Sequence, residues 1–239
     1  MVSTRRCAIR AGVAGVLFLA AVCHGYGGFE VTAGFVDFKG LNRDLTDLNR
    51  AAPPQGWNGS GSFSYRAPLW WYGGHGGGQV GVVTLGGSGA VAGRANHADS
   101  LGSELAALRG NFEVGYPYSP VEWLCLRTCL EIGGAGCVIY THSIENGVVL
   151  GNFSANFKRW YSAWIISAAP GVEVMGTLPG SQVGLFVKTS YVLPVAGPQW
   201  LGDQSPPAFS LRGFSIQIGL RFGKTVQRAQ EEDENWLEP

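Results

Sequence analysis

Charge is scarce in this sequence. Lys, Arg, Asp and Glu make up 14% of its 239 residues, against about a quarter in an ordinary soluble domain. The 17 basic and 17 acidic residues cancel, and no basic block stands out. A nucleic-acid partner is therefore not expected, because nothing is arranged to grip phosphates. Beyond residue 25 no stretch of eighteen apolar residues occurs, so no transmembrane helix is expected. Histidine is sparse as well: beyond residue 25 His75, His97 and His142 stand far apart, with no His-x-His or Cys-x-x-Cys. A metal site needs such clustering, so no metal and no cofactor are expected.

What the chain has in quantity is glycine, 37 residues, together with 8 Trp, 8 Tyr and 12 Phe. The glycines follow no Gly-X-Y period, which excludes collagen, and the aromatics exclude disorder. Arg5, Arg6 and Arg10 precede an apolar run over 11–22. That run is too short to span a bilayer and matches a secretory signal peptide over 1–25. Cleavage after Gly25 is the expectation, with lipidation of Cys23 as the alternative. Cys125, Cys129 and Cys137 then remain. Cys125 and Cys129 share one face of a strand roughly 13 Å apart, too far to pair with each other. A bridge to Cys137 stays open beside three buried thiols.

Period-two alternation recurs along the rest of the chain, the mark of a strand with one apolar and one polar face. It is clearest over 213–222, where Phe214, Ile216, Ile218, Leu220 and Phe222 oppose Ser215, Gln217 and Arg221. It recurs over 29–35, 108–116, 122–132 and 182–191. In 122–132, Leu124, Leu126, Leu130 and Ile132 oppose Arg127 and Glu131. Less regular strands are expected over 61–72, 78–86 and 161–178, with a bulge at Pro170-Gly171. Over 61–72 the apolar set is Phe63, Tyr65, Leu69 and Trp71. That makes eight strands.

Long connections follow the odd strands (39–59, 87–104, 141–157 and 193–208), and short ones follow the even strands (73–77, 118–120 and 179–181). Transmembrane barrels have this asymmetry, with short periplasmic turns and longer outer loops. Polar faces rich in Gly, Ser and Thr suit a narrow packed lumen better than a solvated surface. Phe29, Trp71, Tyr72, Tyr116, Trp123, Tyr161, Trp164 and Phe222 fall at strand ends, where interfacial girdles belong. The expected fold is all-β: an eight-stranded antiparallel up-and-down transmembrane barrel over 26–223. Leu41, Leu45 and Leu48 predict a short amphipathic helix over 40–50 in the first outer loop. The acidic 224–239 reads as a flexible periplasmic tail.

The alternating strand ending at Phe222 resembles the terminal strand of small Gram-negative outer-membrane barrels. That resemblance implies the outer membrane, surrounding lipid and the barrel-assembly machinery as partners. Phe214, Ile216, Ile218, Leu220 and Phe222 would form the assembly signal, although seventeen residues follow Phe222.

Ten charges are expected to point inward: Glu30, Arg66, Arg109, Glu113, Arg127, Glu131, Glu173, Lys188, Arg212 and Arg221. Unpaired ions are costly there, so they should form a plug of salt bridges rather than an ion path. His142, Ser143 and Glu145 supply the residue types of a lipid A deacylase, an alternative reading. Consecutive His and Ser on a strand face opposite ways, however, which defeats proton transfer between them. The Gly-rich 73–78 lacks the Lys-Ser/Thr of a phosphate loop and reads as a turn. A structural or loop-mediated binding role, with an extracellular ligand at the outer loops, is the expected function. A narrow pore requires more strands, through splits at Gly86-Gly87 or Gly133–Gly136.

Overall fold

The first strand, β1 (Tyr26–Val36), carries Phe29, Val31 and Phe35 on its exposed face and Glu30, Thr32 and Gly34 on its buried face. The same division runs around the computed structural model, which describes residues 25–51, 62–98, 101–145, 148–149, 159–178, 180–202 and 210–223. Helix α1 (Lys39–Ala51) follows β1. Next come β2 (Leu69–Val80), β3 (Val83–Ala98), β4 (Leu101–Val121) and β5 (Leu124–Glu145). The two-residue β6 (Val148–Val149) pairs only the end of β5. The chain closes with β7 (Arg159–Thr177), β8 (Val183–Gly202) and β9 (Gly213–Gly223).

Eight strands close into an antiparallel barrel in the order β1-β2-β3-β4-β5-β7-β8-β9, with β9 returning to β1. Stepping across the register from Arg127 leads through Glu173, Lys188, Gln217, Thr32, Trp71, Ala92 and Ala107 to Cys137, ten residues up the starting strand. Such a stagger tilts the strands and lets the sheet close without an edge. The strand count is eight, so the condition for the pore reading is not met. Gly86-Gly87 and Gly133–Gly136 lie within continuous strands.

Several boundaries differ from the sequence reading. Residues 73–77 belong to β2 and pair both β1 and β3. The turn lies at Gly81-Val82, where Gly81 has φ +59°, the left-handed conformation a tight hairpin needs. Residues 62–66 are not strand at all. The register shifts between β7 and β8 fall at Trp164/Ile166 and Ile166/Ser167, whereas Pro170 pairs Leu130 regularly. Residues expected in three outer loops continue as strand, to Ala98, Glu145 and Gly202.

The result is a barrel of uneven height. β1 and β9 have 11 residues each, and β4 and β5 have 21 and 22. At about 3.3 Å per residue and a tilt near 40°, the short strands rise roughly 25 Å. The tall wall β4-β5-β7-β8 stands above them at the end opposite the tight turns. Helix α1 fills the low side. Asp37 Oδ1 accepts a hydrogen bond from the Lys39 amide at 2.9 Å, satisfying one of the free N–H groups of its first turn. Leu41 and Leu45, one helical turn apart, are fully buried. At 13 residues the helix is longer than the sequence suggested, and it packs into the mouth of the barrel rather than standing in a loop. The Leu48 side chain, the leader over 1–24 and the tail over 224–239 lie outside the described residues.

Candidate functional site

The turn-side half of the lumen is built from inward positions on β1, β2, β4, β5, β7, β8 and β9. Long side chains there meet small ones. A Cβ on Gly219 would come within 2.6 Å of the Phe186 ring, and one on Gly28 within 2.8 Å of His75. These glycines make the room that the large neighbours occupy.

Eight of the ten charges expected inside are there: Glu30, Arg109, Glu113, Arg127, Glu131, Glu173, Lys188 and Arg221. Arg127 bridges Glu113 and Glu173 at 2.6 Å each. Lys188 joins Glu113 to Glu131. Arg221 meets both oxygens of Glu173 at 2.9 Å, with its guanidinium 4.3 Å from the Tyr26 ring centroid and 5.2 Å from that of Phe186. Glu30 accepts from Gln217 at 3.0 Å and faces His75 at 3.3 Å and Arg109 at 3.4 Å. Asn111 donates to Glu131 at 2.9 Å, and Arg109 donates to Thr32 at 2.8 Å. Four carboxylates face four Lys and Arg cations, so their charges cancel. Buried ions are tolerable only when paired and hydrogen-bonded in this way.

The other two charges lie elsewhere. Arg66 is exposed, because 62–66 is bound to α1 instead of forming a barrel strand; its carbonyl accepts from Arg94. Arg212 is exposed just before β9 and donates to the Tyr191 hydroxyl at 3.1 Å. Sequence reasoning missed Tyr26, His75, Asn111 and Gln217 as members of the network. His75 was hidden in the presumed turn, although the two-residue steps Trp71, Gly73, His75 carry the signal.

The outer half of the lumen is apolar. Ala90, Ala92, Ala107, Ala135, Cys137, Ile139, Tyr161, Ala163 and Ile165 line it, packed against Phe38, Leu41, Leu45, Phe63 and Tyr65. Leu69 and Trp71 point into it while Trp70 and Tyr72 face outward. This reverses the expected faces, because the surface waiting inside is apolar too. For the same reason Trp71 and Tyr161 are buried and belong to no girdle. Phe29, Tyr72, Tyr116, Trp123, Trp164 and Phe222 are exposed, joined by Phe35, Trp70, Tyr118, Tyr191 and Phe214.

α1 and 62–66 are tied together. Asn42 Nδ2 donates to the Tyr65 carbonyl at 2.9 Å and Asn42 Oδ1 accepts from the Tyr65 amide at 2.7 Å. The Phe63 amide donates to Thr46 Oγ1 at 3.1 Å. Burial pushes the Tyr65 hydroxyl up to about 12, so it stays protonated and donates to the Ser103 carbonyl at 2.9 Å. Little space remains between the halves. A cavity of about 40 Å³ touches Trp71, Arg109, Asn111, Glu131 and Leu211, and one of about 10 Å³ lies among the ion pairs. The first has room for a few water molecules and the second for about one.

Cys125, Cys129 and Cys137 are buried free thiols along the inner face of β5. The backbone of His142, Ser143 and Glu145 continues β5 in regular pairing; their side chains, like that of His97, lie outside the described residues. No cluster of metal-binding side chains occurs among the described residues.

No protein-family model matches the sequence, and no curated protein does. Among solved structures, the chain is similar to the attachment invasion locus protein Ail of Yersinia pestis, with 11% identity and a TM-score of 0.41 over 84% of this chain and 100% of that one. A second structure of Ail, in complex with the heparin analogue sucrose octasulfate, gives 10% identity, a TM-score of 0.43 and the same coverage.

Proposed function

We propose that this chain is an outer-membrane barrel with a structural and interactive role, a sealed anchor that carries extended hairpins beyond the bilayer. One observation carries the reading. On the outward faces of the barrel strands, Glu104 is the single charged residue among the described residues, while Phe112, Leu130, Ile132, Val172, Leu185, Ile218 and their neighbours stand exposed all around. A soluble monomer rarely exposes apolar patches beyond a few hundred Å². Here a continuous apolar band encircles the molecule, with pairs of ions inside instead of out. Its height of roughly 25 Å on the short strands equals the apolar band of an outer-membrane barrel.

Lipid is the partner this band fits. The barrel-assembly machinery, reading Phe214, Ile216, Ile218, Leu220 and Phe222, is the partner the terminal strand fits. Phe214, Ile218, Leu220 and Phe222 are each more than 40% exposed. Export through the 1–25 leader, with 224–239 left in the periplasm, completes the proposal. The outer ends of β4, β5, β7 and β8, about ten residues longer than the band requires, would present a surface to an extracellular ligand.

Single cysteines test both location and orientation. A cysteine replacing Asp47 on α1 should react with a membrane-impermeant maleimide on intact cells. One replacing Val82, in the β2-β3 turn, should react only after the outer membrane is opened. The opposite pattern would invert the topology, and labelling of both in a soluble fraction would overturn the membrane reading.

A further inference from the structure

The two halves of the lumen are filled by different means, and the difference points to a site. The turn-side half fills itself: Arg127, Glu173, Met175, Phe186 and Lys188 reach in from the wall and are buried. In the outer half the wall sets Ala90, Ala92, Ala107, Ala135 and Ala163 among larger residues such as Trp71, Leu105, Ile139 and Tyr161, and does not fill the lumen by itself. A separate unit supplies the volume there, and Asn42, Thr46, Phe63 and Tyr65 bind that unit to itself. At the floor, Arg109 lines the 40 Å³ cavity. Its guanidinium lies 5.2 Å from the Trp71 ring centroid, and its Nε is buried without a hydrogen-bond acceptor.

We propose that the outer half of the lumen is a binding chamber for a single-chain apolar compound ending in a hydrogen-bond acceptor, of the fatty-acid type. Helix α1 with 62–66 is its stopper. Leu41 and Leu45 occupy the apolar path when the chamber is empty. Displacing them exposes the alanines of the wall above the cavity that Arg109, Asn111 and Glu131 line, where the buried Arg109 Nε donates to the terminal oxygen. The chamber is a property of the barrel, so it rests on the barrel reading; heat-modifiable gel migration checks that reading separately.

A ligand that must displace the stopper binds weakly in proportion to the rarity of the open state. Loosening the stopper should therefore tighten binding. The test uses the full mature chain in lipid nanodiscs and cis-parinaric acid, read by energy transfer from tryptophan against empty nanodiscs. Asn42→Ala/Thr46→Ala removes the hydrogen bonds between α1 and 62–66 and should bind the acid roughly tenfold more tightly than the unaltered chain. Adding Ala135→Leu, which fills the cavity from the wall, should reverse that gain. If the double variant does not fold, Leu45→Ala shortens the stopper and carries the same expectation. Affinity unchanged by unlatching, or insensitive to Ala135→Leu, would overturn the proposal. So would a response confined to parinaroyl phospholipid and absent with the free acid.

Discussion

The two halves of the lumen solve one problem with opposite chemistry. Toward the tight turns, long charged side chains interlock, and each depends on partners from other strands. Arg127 on β5 holds Glu113 on β4 and Glu173 on β7; Arg221 on β9 shares Glu173. Toward the outer end a wall of alanines and larger apolar residues takes in an amphipathic helix, and contact is apolar and local. Ionic filling ties six strands to one another, so loss of one member should be felt by the whole barrel. Apolar filling ties one helix to a wall, so damage there should open the mouth and spare the rest.

The largest effect should come from Glu173→Ala. Glu173 is 1% exposed, and its loss leaves Arg221 without a carboxylate and Arg127 with one of two. Breaking a buried pair costs about 3–5 kcal/mol, seen as a lower denaturant midpoint for loss of the fast-migrating folded form. Leu130→Arg follows. Leu130 is half-way up the band and 43% exposed, and a charge near the bilayer midplane costs about 2–4 kcal/mol. Thr128→Ser, on the same face, should change nothing measurable, and equal tolerance of both would contradict the face assignment. Leu45→Ala costs a comparable 2–4 kcal/mol locally, but this should fall on α1. Hydrogen exchange should rise over Lys39–Ala51 while amides in β1 and β9 keep their protection; a rise throughout the barrel would erase the distinction between the halves. Smallest is Asn42→Ala, about 1 kcal/mol for the hydrogen bonds to Tyr65, visible as faster exchange in the first turns of α1.

The same contrast explains what the sequence made legible. Where the lumen is ionic, polar and apolar residues alternate along the strand, and β9 and the turn-side parts of β1, β4 and β5 can be read directly. Where the lumen is apolar, both faces carry the same chemistry. Trp70 and Trp71, or Ile165 and Ile166, differ in direction but not in kind, so alternation disappears and the strands look like loops. Glycine hides β2 for a related reason: residues 73–78 have one side chain, that of His75, to report a face. The spacing of Leu41 and Leu45 announces a helix with one apolar side. What that side packs against depends on alanines some fifty to more than a hundred residues away, brought together by the stagger of the barrel. The paired charges were recognisable as a set, but their partners were not, because Arg127–Glu173 and Lys188–Glu113 are fixed by register across strands.

Electrical conductance tests the central claim most directly, because both halves of the lumen are held to be filled. The folded protein reconstituted in a planar bilayer should show no steady single-channel current, since ion pairs and apolar side chains fill the lumen among the described residues, around cavities of about 40 and 10 Å³. Stable ohmic channels from the unaltered protein would contradict the account, for ions would then be crossing a path that the ion pairs and helix α1 are held to close.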